Sequence, residues 1–323
     1  MNLNESLEIY LKYIKFEKNL SSNTITSYKN DISQFINFLR DTKKNNVLKN
    51  DETDRFINLV NFRDFLKFIS NFNYSNKTLI RKYSSLQNYF KFLETGKYIK
   101  FPLSHFIDSP KKHHNLFTFL SQTEMQQLIN SIDTSNYSGI RNRTIIEMFY
   151  STGARISEIE SIQVKDIDFE KREIKVFGKG RKYRVVFLNS SSIFWINKYL
   201  PLREKIINEL FLKQENRKIK KHYIKNSDEY KNSLFINKYG YRLSQRSIRN
   251  IIRYQLKIAK IDKNISPHKI RHTFATHLLQ EGAGIREIQM LLGHENVSTT
   301  QIYTHLNIKK LKSDFNKFHP RAK

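Results

Sequence analysis

The chain has no cysteine among its 323 residues. That excludes disulfides and thiolate zinc sites, and it is compatible with a reducing interior. No long apolar run is present, so no stretch reads as a membrane-spanning helix. The first residues, MNLNESLEIYLKYIK, lack the basic-then-apolar order of a signal peptide. No polybasic tail points to an anionic membrane surface. Internal repeats and low-complexity tracts are also missing. Acidic residues are scarce: 30 Asp plus Glu stand against 57 Lys plus Arg, a net charge of +27. Such an excess gains free energy by releasing counterions from a polyanion, so nucleic acid is the first candidate partner.

Apolar periodicity divides what remains into two parts. Residues 3–19 carry Leu3, Leu7, Leu11 and Ile14 on one side. A second helix follows Ser21 or Ser22, with Ile25, Tyr28, Ile32, Phe35 and Leu39 as its stripe. Polar residues 43–54 read as a loop. Further helices are predicted over about 59–72 and 76–95, the latter stopped by Gly96. Four short helices without strands give an N-terminal α-helical domain over 1–98. Pro102, Pro110 and the run Lys111, Lys112, His113, His114 mark a linker over 99–114.

The second domain, 115–323, opens on the capping box Ser121-Gln-Thr-Glu124. A helix over about 141–151 ends in Ser151-Thr152-Gly153, and another starts near Arg155. Residues 166–169, 173–177 and 183–188 alternate as three short antiparallel strands, the last two joined by a turn bearing Lys179. Helix returns over 190–211. The charged stretch 213–232 has no apolar period, and 234–237 reads as a short strand. Residues 244–260 form a basic helix with Arg246, Arg249 and Arg253 on one side, a DNA-facing candidate or a solvated face. The fold expected is mainly α with a small antiparallel β-sheet.

The richest stretch is 266–307. Ser266 caps a helix, Pro267 fits its first turn and Gly282 ends it. His268 and Arg271, three apart, then share a face. Gly293 ends the next helix, so His294 sits at a turn, and Tyr303 follows on another short helix. Two cations, a second imidazole and a phenol suit phosphoryl transfer.

Thr152-Gly-Ala-Arg155-Ile-Ser-Glu158, Gly178-Lys179-Gly180, His268-Lys-Ile-Arg271-His272, Leu292-Gly293-His294 and Tyr303-Thr-His resemble, in order and separation, the motifs of tyrosine site-specific recombinases. The bacterial Xer recombinases are the nearest resemblance, and it extends to the ending His319-Pro-Arg-Ala322. The resemblance implies an N-terminal four-helix, SAM-like core-binding domain and a C-terminal catalytic domain, closing as a clamp on double-stranded DNA. It implies a homo- or hetero-tetramer on two DNA sites, strand exchange through a Holliday junction, no metal and no cofactor. Chromosome-dimer resolution, cytoplasmic and nucleoid-associated action and control by an FtsK-type DNA translocase follow from the same resemblance. Integration of a mobile element, or a catalytically dead DNA-binding relative, are the alternatives.

The chemistry gives each residue a reason. A tyrosine nucleophile must act as a phenolate, although a free phenol has a pKa of about 10, so the site must be cationic. Arg155 and Arg271 supply guanidinium forks for non-bridging oxygens. Lys179 can protonate the leaving 5′ oxygen, and His268 and His294 can bond the phosphate or take the tyrosine proton. Tyr303 would hold the 3′ phosphate. Glu158 would orient Arg155, with His272 as a supporting residue. Duller readings exist for each: an Arg155–Glu158 structural pair, a turn lysine, a buried tyrosine. A zinc set of His268, His272 and His294 lacks a carboxylate to complete it. The tail, 306–318, has Ile308, Leu311, Phe315 and Phe318 at helical spacing. It could pack on its own domain, and the resemblance implies donation to a neighbouring subunit.

Overall fold

The computed structural model describes residues 1–42, 53–107, 118–178, 183–215, 232–293 and 305–322, leaving out the side chains of 210–215 and 305–307. The chain divides into two compact units, Met1–Asn115 and Leu116–Lys323.

The N-terminal unit contains α1 (Leu3–Phe16), α2 (Ser22–Thr42), the single turn α3 (Thr53–Phe56), α4 (Leu59–Ser70) and α5 (Asn76–Thr95). Side-chain oxygens of Asn2, Asn58 and Ser75 cap α1, α4 and α5 at their first free amides. The apolar stripes meet in an aromatic core of Tyr10, Phe35, Phe62, Phe65, Tyr89 and Phe90. A polar joint crosses it: buried Asp31 on α2 accepts from Lys82 Nζ (3.1 Å) and Ser85 Oγ (3.0 Å) of α5, and pairs with Arg81. Residues 99–107, expected in the linker, instead belong to this unit. Ile99, Leu103 and Ile107 are buried in its core, and the Glu94 carboxylate accepts from Ser104 N and Oγ, both at 2.6 Å. Apolar burial of that size outweighs the loop character that Pro102 lends the sequence.

The C-terminal unit contains α6 (Gln122–Asn130), α7 (Tyr137–Thr152), α8 (Ile156–Ser161), β1 (Ile167–Asp168), β2 (Glu173–Phe177), β3 (Tyr183–Phe187), α9 (Ser190–Glu215), α10 (Gln245–Ile258), α11 (Pro267–Gln280), α12 (Ile285–Leu292) and α13 (His305–Phe318). The three strands form one antiparallel sheet in the order β1-β2-β3. Val176 pairs with Arg184 and Phe177 with Tyr183 at the end of the ladder where β2 connects to β3. Nearly every side chain of α7 is buried, so it is the central helix. The expected strand over 234–237 is not a strand. Leu234, Phe235 and Ile236 are all buried, and the segment makes only isolated bridges, Gln163 to Ser233 and Ile236 to Arg242. Tyr199 Oη caps Ile236 N at 3.2 Å in place of a ladder partner.

The tail helix α13 lies on its own unit in this single chain. Leu311 and Phe315 join Phe187, Phe274, Leu278, Leu291 and Leu292 in a second core. Beyond it, buried His319 donates from Nε2 to the Tyr150 carbonyl (3.0 Å), and Arg321 Nη1 donates to Glu147 Oε2 (2.7 Å). Arg143 Nε holds the other Glu147 oxygen at 3.0 Å.

Candidate active site

The site is built where α7 stops and α8 starts. Thr152 Oγ1 donates to the Met148 carbonyl (2.7 Å) and accepts from Ala154 N (3.1 Å), which bends the chain out of the helix. Gly153 takes the left-handed region, φ 57°. A Cβ on it would stand 2.5 Å from Phe274 Cδ1 and 3.0 Å from Leu292 Cδ2, so only glycine fits. Ala154 is buried, and Arg155 becomes the N-cap of α8. Its backbone N–H donates to Glu158 Oε2 at 2.7 Å, while its Nη1 donates to Glu158 Oε1 at 3.0 Å. The spacing Arg155-x-x-Glu158 is therefore half a capping box: the Glu158 carboxylate three residues on accepts from the N-cap backbone N–H and from its guanidinium.

Glu158 is fully buried and holds a second guanidinium, one the sequence reading missed. Arg184 of β3 donates from Nη2 to Oε2 (2.8 Å) and from Nε to Oε1 (3.3 Å). Burial alone would raise the Glu158 pKa. Hydrogen bonds and charge from Arg184, then the backbone N–H and charge of Arg155, outweigh it and hold the carboxyl below its usual range.

Arg271 arrives from α11, which Ser266 caps and Pro267 starts. Its Nη1 donates to the Gly153 carbonyl (2.8 Å) and its Nη2 to the Leu292 carbonyl (2.6 Å). The end of α12 thus receives three guanidiniums on consecutive carbonyls. Arg184 Nη1 reaches Leu291 (2.7 Å), Arg271 reaches Leu292, and Arg155 Nη2 reaches Gly293 (3.4 Å). The last carbonyls of a helix lack intrahelical partners and carry partial negative charge, so cations settle there.

Three guanidiniums around one carboxylate leave a net positive site. Burial, then the charges of Arg155 and Arg184, push the Arg271 guanidinium down from 12.5 to about 9. An anion placed beside it would relieve that repulsion, and the fork geometry of two arginines matches a phosphate.

His268 lies one turn before Arg271 on α11 and is exposed. His272 is half-buried and meets the ring of Phe119 edge-on. Lys179, His294 and Tyr303 lie outside the described residues. Phe177 and Tyr183 close the ladder on either side of the residues that include Lys179, and Gly293 ends α12 immediately before His294 in the chain. Arg246, Arg249 and Arg253 are exposed along α10. Arg249 Nη2 donates to Gln245 Oε1 (3.2 Å) and Arg253 Nη1 to Asn250 Oδ1 (3.3 Å).

An arginine pair at a two-helix corner beside a three-stranded antiparallel sheet makes a cationic site suited to a phosphate. The chain belongs to the phage integrase family: the phage integrase family model matches residues 118–310, and its N-terminal SAM-like domain matches residues 7–97. It is a tyrosine recombinase of the Xer type. It is 37% identical to the tyrosine recombinase XerC of Natranaerobius thermophilus over 99% of both chains. It is 34% identical to the XerD of Staphylococcus saprophyticus over 98% of this chain and 99% of that one. The fold matches the XerH site-specific recombinase bound to difH substrate with a TM-score of 0.60 at 23% identity, covering 95% of this chain and 82% of that one. It matches the Tn1549 transposon integrase in complex with a circular intermediate DNA at 0.62 and 21%, covering 95% and 98%.

Proposed function

We propose that this recombinase cuts one strand at a specific duplex site through a 3′-phosphotyrosyl bond and rejoins it to a partner strand. The observation carrying this reading is the cationic ring of Arg155, Arg271 and Arg184 around a single buried carboxylate. Arg155 and Arg271 grip the non-bridging oxygens of the scissile phosphate and stabilise the charge that builds on them. Tyr303 Oη attacks phosphorus, a Tyr–O–P bond forms and the P–O5′ bond breaks. Lys179 delivers the proton that the departing 5′ oxygen takes up, and His268 and His294 bond the phosphate or accept the phenol proton. Attack by the 5′ hydroxyl of a second duplex reverses the step and gives a Holliday junction. Repetition across four protomers on two sites completes the exchange.

We propose chromosome-dimer resolution as the task, with a second recombinase or a further copy of this chain in the tetramer and a septal translocase of the FtsK type as regulator; what supports it is membership of the Xer type. Action on the nucleoid in the cytoplasm follows from that task. In the tetramer the tail helix would leave its own groove for that of a neighbour. The decisive experiment traps cleavage on a nicked suicide substrate and maps the labelled peptide. The label is expected on Tyr303 and absent in Tyr303→Phe; a covalent adduct on any other residue overturns the assignment.

A further inference from the structure

Arg184 is an arginine in a strand, at a parity that points inward. It alternates with Val186 on β3, and both are buried, at 6% and 2% exposure. A guanidinium buried that far must have its donors satisfied and its charge compensated. Both conditions are met by the site and not by solvent. Nε and Nη2 form a fork on the Glu158 carboxylate, and Nη1 takes the Leu291 carbonyl. Its Cδ lies where a Cβ on Gly293 would come, 2.6 Å away, and Gly293 is left-handed at φ 67°. One side chain therefore fixes three things: the carboxylate that holds Arg155, the last turn of α12, and the residue before His294.

The charge balance shows what that fixing does. Glu158 alone beside Arg155 would form a neutral pair, and a neutral pair exerts little pull on a phosphate. With Arg184 sharing both carboxylate oxygens, the carboxylate is compensated from the far side. Arg155 then keeps its positive field for an incoming anion. The strand position adds a mechanical link, since Arg184 pairs with Val176 one step from the last rung, Phe177 to Tyr183, and Lys179 lies between those two in the chain.

We propose that Arg184 is a positioning residue for strand cleavage: it neutralises and orients Glu158, so that Arg155 presents an uncompensated guanidinium to the scissile phosphate, and it ties α12 to the neck of the β2–β3 hairpin. The proposal rests on Arg155 being a phosphate-gripping residue, and the test separates the two. Single-turnover nicking of a suicide substrate is measured at saturating protein for the wild type, Arg155→Ala, Arg184→Gln and Arg184→Lys. Each is run on the ordinary phosphate and on a methylphosphonate, in which a methyl group replaces one non-bridging oxygen and removes the negative charge. A guanidinium that acts through charge on the phosphate matters less once that charge is gone.

Arg184→Gln should lose about 100-fold on the phosphate and about tenfold or less on the methylphosphonate, the same pattern as Arg155→Ala. Arg184→Lys should fall between, since an ammonium can compensate Glu158 but cannot fork it while reaching Leu291. Melting temperature and half-site binding are followed in parallel. Equal deficits of Arg184→Gln on both substrates, with Arg155→Ala still charge-selective, would reduce Arg184 to packing and sink the proposal. Equal deficits for Arg155→Ala itself would instead overturn the reading of Arg155. If Arg184→Gln does not fold, the selectivity of Arg184→Lys alone decides the question.

Discussion

Arg271 Nη1 donates to the carbonyl of Gly153 at 2.8 Å, across 118 residues of chain. That carbonyl is available because Gly153 turns left-handed at the end of α7. The glycine and the arginine of two separate motifs are thus one structural unit. Gly153→Ala should therefore act on both stability and cleavage. The left-handed backbone costs an alanine about 1 kcal/mol, and the Cβ must displace Phe274 and Leu292, which adds about 1–3 kcal/mol. The melting temperature should fall, and single-turnover cleavage should fall further than stability explains. A variant that melts and cleaves like the wild type would show that the turn does not hold Arg271.

The arginine pair itself gives a sharper expectation. Arg271 bridges two carbonyls, Gly153 and Leu292, with the two ends of one planar fork. A lysine has no such fork, so Arg271→Lys should be nearly as inactive as Arg271→Ala despite keeping the charge. Both, with Arg155→Ala, should retain half-site binding, because a net charge of +27 leaves many other cations for the phosphate backbone. The loss in cleavage should be on the order of 3 kcal/mol or more. Gel shifts and suicide-substrate cleavage measure the two effects separately, and a Lys variant close to the wild type in rate would make the fork irrelevant.

Much of this was legible from sequence because the signals were local. Ser121 and Glu124 form the capping box their spacing predicts, with Glu124 N donating to Ser121 Oγ at 3.1 Å and Ser121 N to Glu124 Oε2 at 2.7 Å. Ser266 and Pro267 start α11 as expected, and the three strands pair in the expected order. Arg155 and Glu158 are three apart and meet. What escaped depends on partners remote in the chain. Arg184 meets Glu158 from 26 residues away, and its only local sign is an arginine at the inward parity of a strand. Arg321 meets Glu147 across 174 residues, with no local sign at all. The segment 234–237 failed as a strand because tertiary burial of three consecutive side chains replaced alternation.

Acid should destabilise the C-terminal unit well above the carboxylate range. His319 is buried among Tyr150, Phe274 and Phe315, with burial chiefly holding its pKa down from 6.5 to about 4. His277 is lowered too, again by burial. Its Nε2 must donate to the Leu120 carbonyl (2.8 Å), so its Nδ1 accepts from Tyr150 Oη (2.8 Å) and the ring is neutral. A depressed histidine binds more protons unfolded than folded. Its contribution is therefore complete above about pH 6.5 and drains away as pH falls towards 4. The urea midpoint should be flat above pH 7 and decline below 6.5. His319→Gln should start lower, by about 1–3 kcal/mol, but show a shallower decline. An unchanged slope would mean that His319 titrates normally.

The tail offers the last expectation. Leu311 and Phe315 cover Phe187, Phe274, Leu291 and Leu292, and Arg321 compensates a Glu147 that is fully buried. Leu291 and Leu292 are also the residues whose carbonyls Arg184 and Arg271 hold, so the groove under the tail and the candidate active site share α12. Removing residues 307–323 should uncover that apolar groove and leave Glu147 with Arg143 as its one ion partner among the described residues. Uncovering the apolar groove and removing one of the two cations on a buried carboxylate both destabilise, so the truncated protein should melt distinctly earlier. Half-site binding should survive, because the tail's apolar stripe faces protein. Cooperative full-site binding and recombination should be lost, since no helix remains to cross to a neighbour. A synthetic peptide of residues 305–323, added in excess, should raise the melting temperature of the truncated protein by mass action, as any ligand of the folded state does. It should not restore cooperativity, because a free peptide links no two subunits. Recombination by the truncated protein alone, or full-site cooperativity equal to the wild type, would show that the tail serves only its own domain.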